Sequence, residues 1–302
     1  MALTINTNLS SMIVQNNLQK STTQLNNAIE RMTTGYKINH AADNAAGYSI
    51  ARNWEAKLGS LDVAADNAAT GADMLSTLED NLALVSSHVQ RVRDLTEQAA
   101  NGTYGTQSKE AIESEIKARL EEVDRIAANC EFNGISLMSG GSAMAIQVGI
   151  EGTASKSQIS LDSTLFASGQ VGDLFKITGT GAYTPTGDDE TAKVAKLAKD
   201  CAGTSTGSGA KKPTEMLGTI DAVINNISKR ITTLGAAQNR IESAIESIGV
   251  QSENITSSLS TLRDADVATE SSNYIKAQIL QQASATLLAT ANQTPSIALN
   301  LL

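Results

Sequence analysis

Apolar side chains recur at alternating spacings of three and four along much of the chain, the pattern of a helix seamed against other helices. The longest run opens at Ile220 and continues through Ile224, Ile227, Ile231, Leu234, Gln238, Ile241, Ile245, Ile248, Ser252, Ile255, Leu259 and Leu262, with only Gln238 and Ser252 polar. At about 1.5 Å per residue it predicts a helix roughly 64 Å long, too long to be stable without a partner. A second run comprises Leu75, Leu78, Leu82, Val85, Val89, Val92, Thr96 and Ala99, and reaches back through Ala68, Ala64 and Leu61 to Trp54. Its helix is expected to stop at Asn101-Gly102, with Gly102 in the left-handed conformation. Ser108 then reads as an N-cap, with Glu110 and Glu113 in the favourable first turn. The helix it opens carries Ile112, Ile116, Leu120, Val123 and Ala127 on one stripe. Three matching seams in one chain predict a mainly α fold, a long antiparallel coiled-coil bundle.

The middle of the chain changes period. Ala145–Ile150 and Gln158–Leu161 alternate apolar and polar residues around a Gly-Thr-Ala-Ser stretch, which predicts a β-hairpin at about 144–161. Residues 167–212 are rich in Gly, Thr and Ser, with one short helical stretch at Glu190–Asp200. That composition predicts a small, poorly packed surface insert, and Gly203–Gly209 reads as a loop. The helical core then comprises 45–166 and 213–263.

The two ends form a third class. Residues 1–44 carry a sparse stripe in Leu18, Leu25, Ile29 and Met32, and residues 264–302 carry Ile275, Ile279, Ala283, Leu287 and Ala291 before the closing Leu301 and Leu302. Amide and hydroxyl side chains fill the rest. Each arm alone buries too little to offset the entropy of ordering its backbone, so both are expected to be disordered in the monomer. A neighbouring subunit would supply the missing apolar face.

Charge and chemistry narrow the function. With 23 Lys+Arg against 32 Asp+Glu the net charge is −9, which argues against nucleic acid or an anionic membrane as partner. Aromatic residues make up only 3%, far fewer than a compact enzyme core of this length uses. Cys130 and Cys201 cannot form a disulfide scaffold; a single bridge between them stays open, and two free thiols is the favoured reading. His40 and His88 fit no metal-ligand spacing, and no phosphate loop or nucleophile elbow is present. Neither an enzyme nor a cofactor or metal site is expected. The N-terminus has no basic or strongly apolar leader, since its first charged residue is Lys20, and no stretch suffices for membrane insertion.

Several segments resemble bacterial flagellins. They are Met1–Leu18, with Gly35-Tyr36-Lys37-Ile38-Asn39 and Asp43-Asn44-Ala45-Ala46-Gly47, then Gln90–Leu95, then Phe132-Asn133-Gly134. Ala277–Ala283 and Ala291–Pro295 are similar to the family's closing signature. The resemblance covers roughly residues 1–165 and 215–302, in the family's order. His40 and Cys130 depart from its usual residues.

The resemblance implies a structural subunit that self-assembles into the extracellular flagellar filament and is exported, without a cleaved signal peptide, through the flagellar type III apparatus. It also implies an export chaperone on the C-terminal arm, a filament cap and hook–filament junction proteins as partners. The alternatives are a hook–filament junction protein or another secreted coiled-coil adhesin. A final implication concerns the second helix. With Val89 and Val92 in the seam, Arg91 and Gln98 share one outward position, with Gln90 and Leu95 beside it. Glu115 approaches them if the two helices pack antiparallel. Gln90, Arg91, Leu95, Gln98 and Glu115 match the flagellin surface engaged by the host Toll-like receptor for flagellin.

Overall fold

A computed structural model describes residues 8–176, 184, 189–206 and 211–299. It divides into two compact units, one of Met1–Gly59 with Gln251–Leu302 and one of Ser60–Val250. Helix α2 (Ala45–Ala100) and helix α7 (Pro213–Arg263) contribute to both.

In the unit Ser60–Val250, α2 lies antiparallel to α7. Gln238 donates to Glu79 at 2.8 Å and Arg93 to Asp221 at 2.6 Å, so one residue number falls as the other rises. Helix α3 (Thr106–Asn129) returns along α2 and buries Ile112, Ile116, Leu120, Val123, Ile126 and Ala127. Every expected seam position of α2 from Leu61 to Ala99 is buried. Met74 and Leu95 are buried as well, so the stripe is wider than two positions per heptad.

The stripe of α7 is rotated by one residue from the expected seam. Ile220, Ile227, Leu234, Ile241 and Ile248 are buried as expected. The alternate positions Ile224 and Ile231 are only half-buried, and Ile245 is exposed. Val223, Arg230 and Ala237 take the buried places instead. The reason is a second neighbour: residues 163–175 pack on that flank, and Arg230 donates to the Leu165 and Ala167 carbonyls at 3.0 and 2.8 Å.

The hairpin forms where expected but is shorter. Strands β3 (Met144–Gln147) and β4 (Gln158–Leu161) pair antiparallel, Met144 opposite Leu161 and Gln147 opposite Gln158. Val148 and Gly149 leave the strand because both amides donate to the Ser157 carbonyl, at 2.8 and 3.0 Å, at the end of the single turn α4 (Ala154–Ser157). Ile146 packs directly on α2 at Gly71, where a Cβ would meet Ile146 Cδ1 at 2.5 Å. A smaller hairpin was not anticipated: β1 (Glu131–Phe132) pairs with β2 (Ile135–Ser136) across Asn133 and Gly134. Both turn residues have positive φ, the conformation that makes Asn-Gly a strong hairpin signal.

Two expected helix ends differ. Helix α2 stops at Ala100, but Gly102 does not take a positive φ. Helix α3 begins at Thr106 with Gly105 as its cap, three residues before the expected cap Ser108, and has no acidic side chain in its first turn.

The expectation of a poorly packed insert over 167–212 does not hold for its described part. Short α5 (Val171–Leu174) and α6 (Glu190–Ala202) bury Val171, Phe175, Val194, Leu197, Ala198 and Cys201 in the same core as α2, α3 and α7. Gly-rich flanks conceal these apolar residues from a reading by composition. Asp189 caps α6 by accepting from the Ala192 amide at 2.8 Å, and left-handed Gly203 closes it. The Gly-rich tract beyond Thr206 lies outside the described residues.

Two carboxylates fasten α5. Asp124 on α3 accepts from the Val171 amide at 2.6 Å, and Glu190 on α6 accepts from the Gly172 amide. Lys193 bridges to Glu190 at 3.0 Å. Burial, reinforced by nearby Glu190 and Glu121, pushes the Asp124 carboxyl up to about 6 despite its bond to Val171 and the opposing Lys193 charge. A raised carboxyl favours the folded state when protonated, so this contribution is complete below about pH 4 and is lost as pH rises through about 6. Asp124→Asn retains an oxygen acceptor without the charge. It is expected to stabilise the protein at pH 7.5 by ~1–2 kcal/mol, after discounting for solvent screening, and to flatten the stability change between pH 4 and 6. Thermal melts of both proteins across that range check this.

Candidate assembly surfaces

The arms are helices α1 (Leu9–Thr34) and α8 (Val267–Leu299), packed antiparallel. Asn8 Nδ2 donates to the Ala291 carbonyl at 2.7 Å, Gln281 Nε2 to Thr22 Oγ1 at 3.2 Å, and Arg31 pairs with Glu270 at 3.3 Å. Gly35, with φ of 75°, ends α1, and Arg31 accepts its amide.

The contact between the arms uses small and polar residues. Ser21 and Ala28 are buried on α1, and Glu270, Ala277 and Ser284 on α8, with Val14, Leu18, Leu25, Tyr274, Gln281 and Leu288 partly covered. Their spacing is a heptad on both helices. Small side chains let two helix axes approach closely, and the serine hydroxyl of Ser21 is satisfied by the Asn17 carbonyl of its own helix at 2.9 Å.

Many of the large apolar residues face away. Met12 and Ile13 are 57% and 53% exposed, and Ile275, Ile279 and Leu287 are 53%, 59% and 57% exposed. Ile29 and Met32 are also exposed. Of the arm stripes drawn from sequence, only Leu18, Leu25 and Ala291 lie on the shared face. Ile29, Met32, Ile275, Ile279 and Leu287 form outward faces; Leu301 and Leu302 lie outside the described residues. Apolar search patterns select large side chains, so the seam of small residues was invisible to them.

At the root of the arms, residues 35–37 pair with 263–265. Lys37 donates to the Arg263 carbonyl at 2.7 Å and Ala265 to the Gly35 carbonyl at 2.8 Å. Arg263 lies 4.0 Å from the Tyr36 ring centroid and forms an ion pair with Glu55. The ends of α1 and α8 are therefore fixed at one place, which sets the register of their pairing.

A separate surface lies on the outer side of α2. Arg91 pairs with Glu115 of α3 at 2.9 Å, which brings the two residues together as the antiparallel packing requires. Gln90 and Gln98 are exposed, and Gln98 donates to the Tyr104 hydroxyl at 3.0 Å. Leu95 does not belong to this surface: it is 2% exposed and packs in the core beside Thr96. The core it joins includes residues of α3 and α7, and the buried stripe of α2 is wider than the strict heptad.

Neither thiol is placed for chemistry. Cys130 and Cys201 are buried and free, and burial pushes the Cys201 thiol up to about 12. Among the described residues no three His, Cys, Asp or Glu side chains converge to hold a metal ion, and no helix is long and apolar enough to cross a membrane.

A helical bundle bearing paired arms whose large apolar side chains point outward defines a structural protein built to join others. The sequence model for the bacterial flagellin N-terminal helical region matches residues 5–143, and that for the C-terminal helical region matches 217–302. Flagellin of Serratia marcescens is 38% identical over 353 residues, and flagellin of Xenorhabdus nematophila 38% identical over 312 residues, each alignment covering 100% of both chains. The chain belongs to the bacterial flagellins. It is a structural subunit of the flagellar filament, a homopolymer outside the cell, and not an enzyme. A solved putative flagellar hook-associated protein from Vibrio parahaemolyticus has a TM-score of 0.58 over 74% of this chain and 100% of its own, at 16% identity. At that identity the likeness concerns the fold alone and does not favour a junction role over a filament role.

Proposed function

We propose that the outward apolar faces of α1 and α8 are the surfaces through which copies of this chain join in the filament. The carrying observation is the exposure of Ile275, Ile279 and Leu287 along one side of α8 while small residues occupy the inner seam. Soluble monomers rarely leave an apolar stripe of that extent uncovered. The paired arms then correspond to the assembled state, and in the free monomer they are disordered, because little apolar surface is buried between them to offset their ordering.

The same disorder suits export of an unfolded chain through the flagellar type III apparatus without a cleaved signal peptide. An export chaperone would hold the C-terminal arm, 264–302, by the apolar face that a neighbouring subunit later covers. The cap and hook–filament junction proteins would meet the same arm surfaces at the two ends of the filament. Relatives aligned along the whole chain are flagellins, which supports a filament subunit over a junction protein or an adhesin.

A second reading concerns the Arg91 surface. We propose that Gln90, Arg91, Gln98 and Glu115 are read by the host Toll-like receptor for flagellin, with Leu95 acting only through the fold. Arg91→Asp is expected to lower monomer potency in a receptor-reporter titration about thirtyfold, the effect of losing an interface arginine worth ~2 kcal/mol, with an unchanged melting temperature. Leu95→Ala is expected to destabilise the core by ~2–5 kcal/mol. Equal potency of folded Arg91→Asp and wild type would remove this surface from receptor binding.

A further inference from the structure

The buried Arg230 is unlike every other arginine in the bundle. It is 6% exposed, its Nη2 donates to the Leu165 and Ala167 carbonyls, and its Nε has no hydrogen-bond partner. Among the described residues no carboxylate forms an ion pair with it. Two carbonyl dipoles do not neutralise a guanidinium, and an uncompensated buried charge is costly. Burial accordingly depresses the Arg230 pKa.

Arg230 lines a cavity of about 350 Å³ between α7 and residues 164–174. Lys229 and Asn226 line it from the same helix, and Thr164 and Ser168 from the facing segment. Among the described residues Asp173 is the one carboxylate in the lining, so Lys229 and Arg230 leave it with a net positive charge. Lys229, Asn226, Thr164 and Ser168 bring an ammonium, an amide and two hydroxyls to the cavity that Arg230 lines, and such donors match the several acceptor oxygens of a compact anion.

We propose that this cavity binds a small tetrahedral oxyanion, of the phosphate or sulfate class. The anion neutralises Arg230 and ties the 164–174 segment to α7, so its binding stabilises the bundle by mass action. The site belongs to the unit Ser60–Val250 and does not depend on the role assigned to the arms.

Calorimetric titration of full-length monomer with inorganic phosphate, and separately with sulfate, tests the proposal at constant ionic strength set with sodium chloride. Saturable binding of both anions, accompanied by a saturable rise in melting temperature, is expected. Lys229→Glu, an exposed substitution that leaves the core intact, should weaken phosphate binding at least tenfold, and Arg230→Met should abolish it. If Arg230→Met does not fold, Lys229→Glu and Asn226→Asp decide the matter. No saturable phosphate binding by wild type would overturn the site, as would the same phosphate affinity in Lys229→Glu and Asn226→Asp. A non-saturating stabilisation of equal size in all variants is general salting-out and would overturn it too.

Discussion

Removal of the arms should abolish filament growth while leaving the bundle folded. Protein trimmed to about residues 45–263 keeps the core of α2, α3, α6 and α7 but loses Ile29, Met32, Ile275, Ile279 and Leu287. Each large aliphatic side chain covered by a neighbour contributes ~1.5–3 kcal/mol of transfer free energy, and the trimmed subunit loses several of them at every contact. If neighbours join through these faces, as proposed, one subunit engages all of them at once, and the loss is expected to be complete rather than graded. Seeds of sheared filament mixed with trimmed monomer should not lengthen in electron micrographs, whereas full-length monomer should extend them. Circular dichroism should show the trimmed protein still helical. A milder change separates the outer face from the inner seam: Ile279→Ser removes an exposed side chain and should slow extension strongly without altering the melting temperature of the monomer.

The second large effect concerns the core. Leu82 is fully buried in the seam of α2, and Leu82→Asp places an unpaired carboxylate among Leu, Ile and Val side chains. Lost packing and charge desolvation together are expected to exceed ~4 kcal/mol. For a unit of this size that lowers the melting temperature by roughly 10–15 °C. Ile231→Asp is expected to cost much less, because Ile231 is half-buried and its carboxylate can reach water. Thermal melts of the two variants side by side check both the burial of α2 and the rotated stripe of α7. Equal destabilisation would restore the seam drawn through Ile231.

That rotation shows where sequence periodicity stops. On α2 the stripe is covered by α7, by α3 along its later part and by the β3–β4 hairpin at Gly71, so every expected seam position from Leu61 to Ala99 is inside. On α7 an irregular segment, 163–175, covers one flank. It accepts hydrogen bonds through its carbonyls, so a buried arginine replaces an aliphatic residue there. No apolar pattern signals such a position; Arg230 reads as a solvated charge until its acceptors are known.

The insert and the arms fail for two other reasons. Val171, Leu174 and Phe175 sit in a stretch too short for a period to show, and the surrounding glycines suggest a loop. The arms were recognisable as amphipathic, and Leu18 and Leu25 do lie on their inner contact, yet the residues buried at its centre include Ser21, Ala28, Ala277 and Ser284, which carry a weak hydrophobic signal or none. Many of the arms' large side chains marked the outward face instead. The Arg91–Glu115 pair was legible because both residues flank seam positions on consecutive antiparallel helices. Leu95 was misplaced on the surface because a strict two-position seam leaves no room for a third apolar column.

The central claim is that the arms order when subunits join. Amide hydrogen exchange of α1 and α8, read by mass spectrometry in free monomer and in filaments of the same protein, tests it most directly. Arm amides should exchange within seconds in the monomer and become strongly protected in the filament, while amides of α2 and α3 near Leu82 and Leu120 stay protected in both. Arms as protected in the monomer as in the filament would contradict the claim, because the outward apolar faces would then have no part in ordering them.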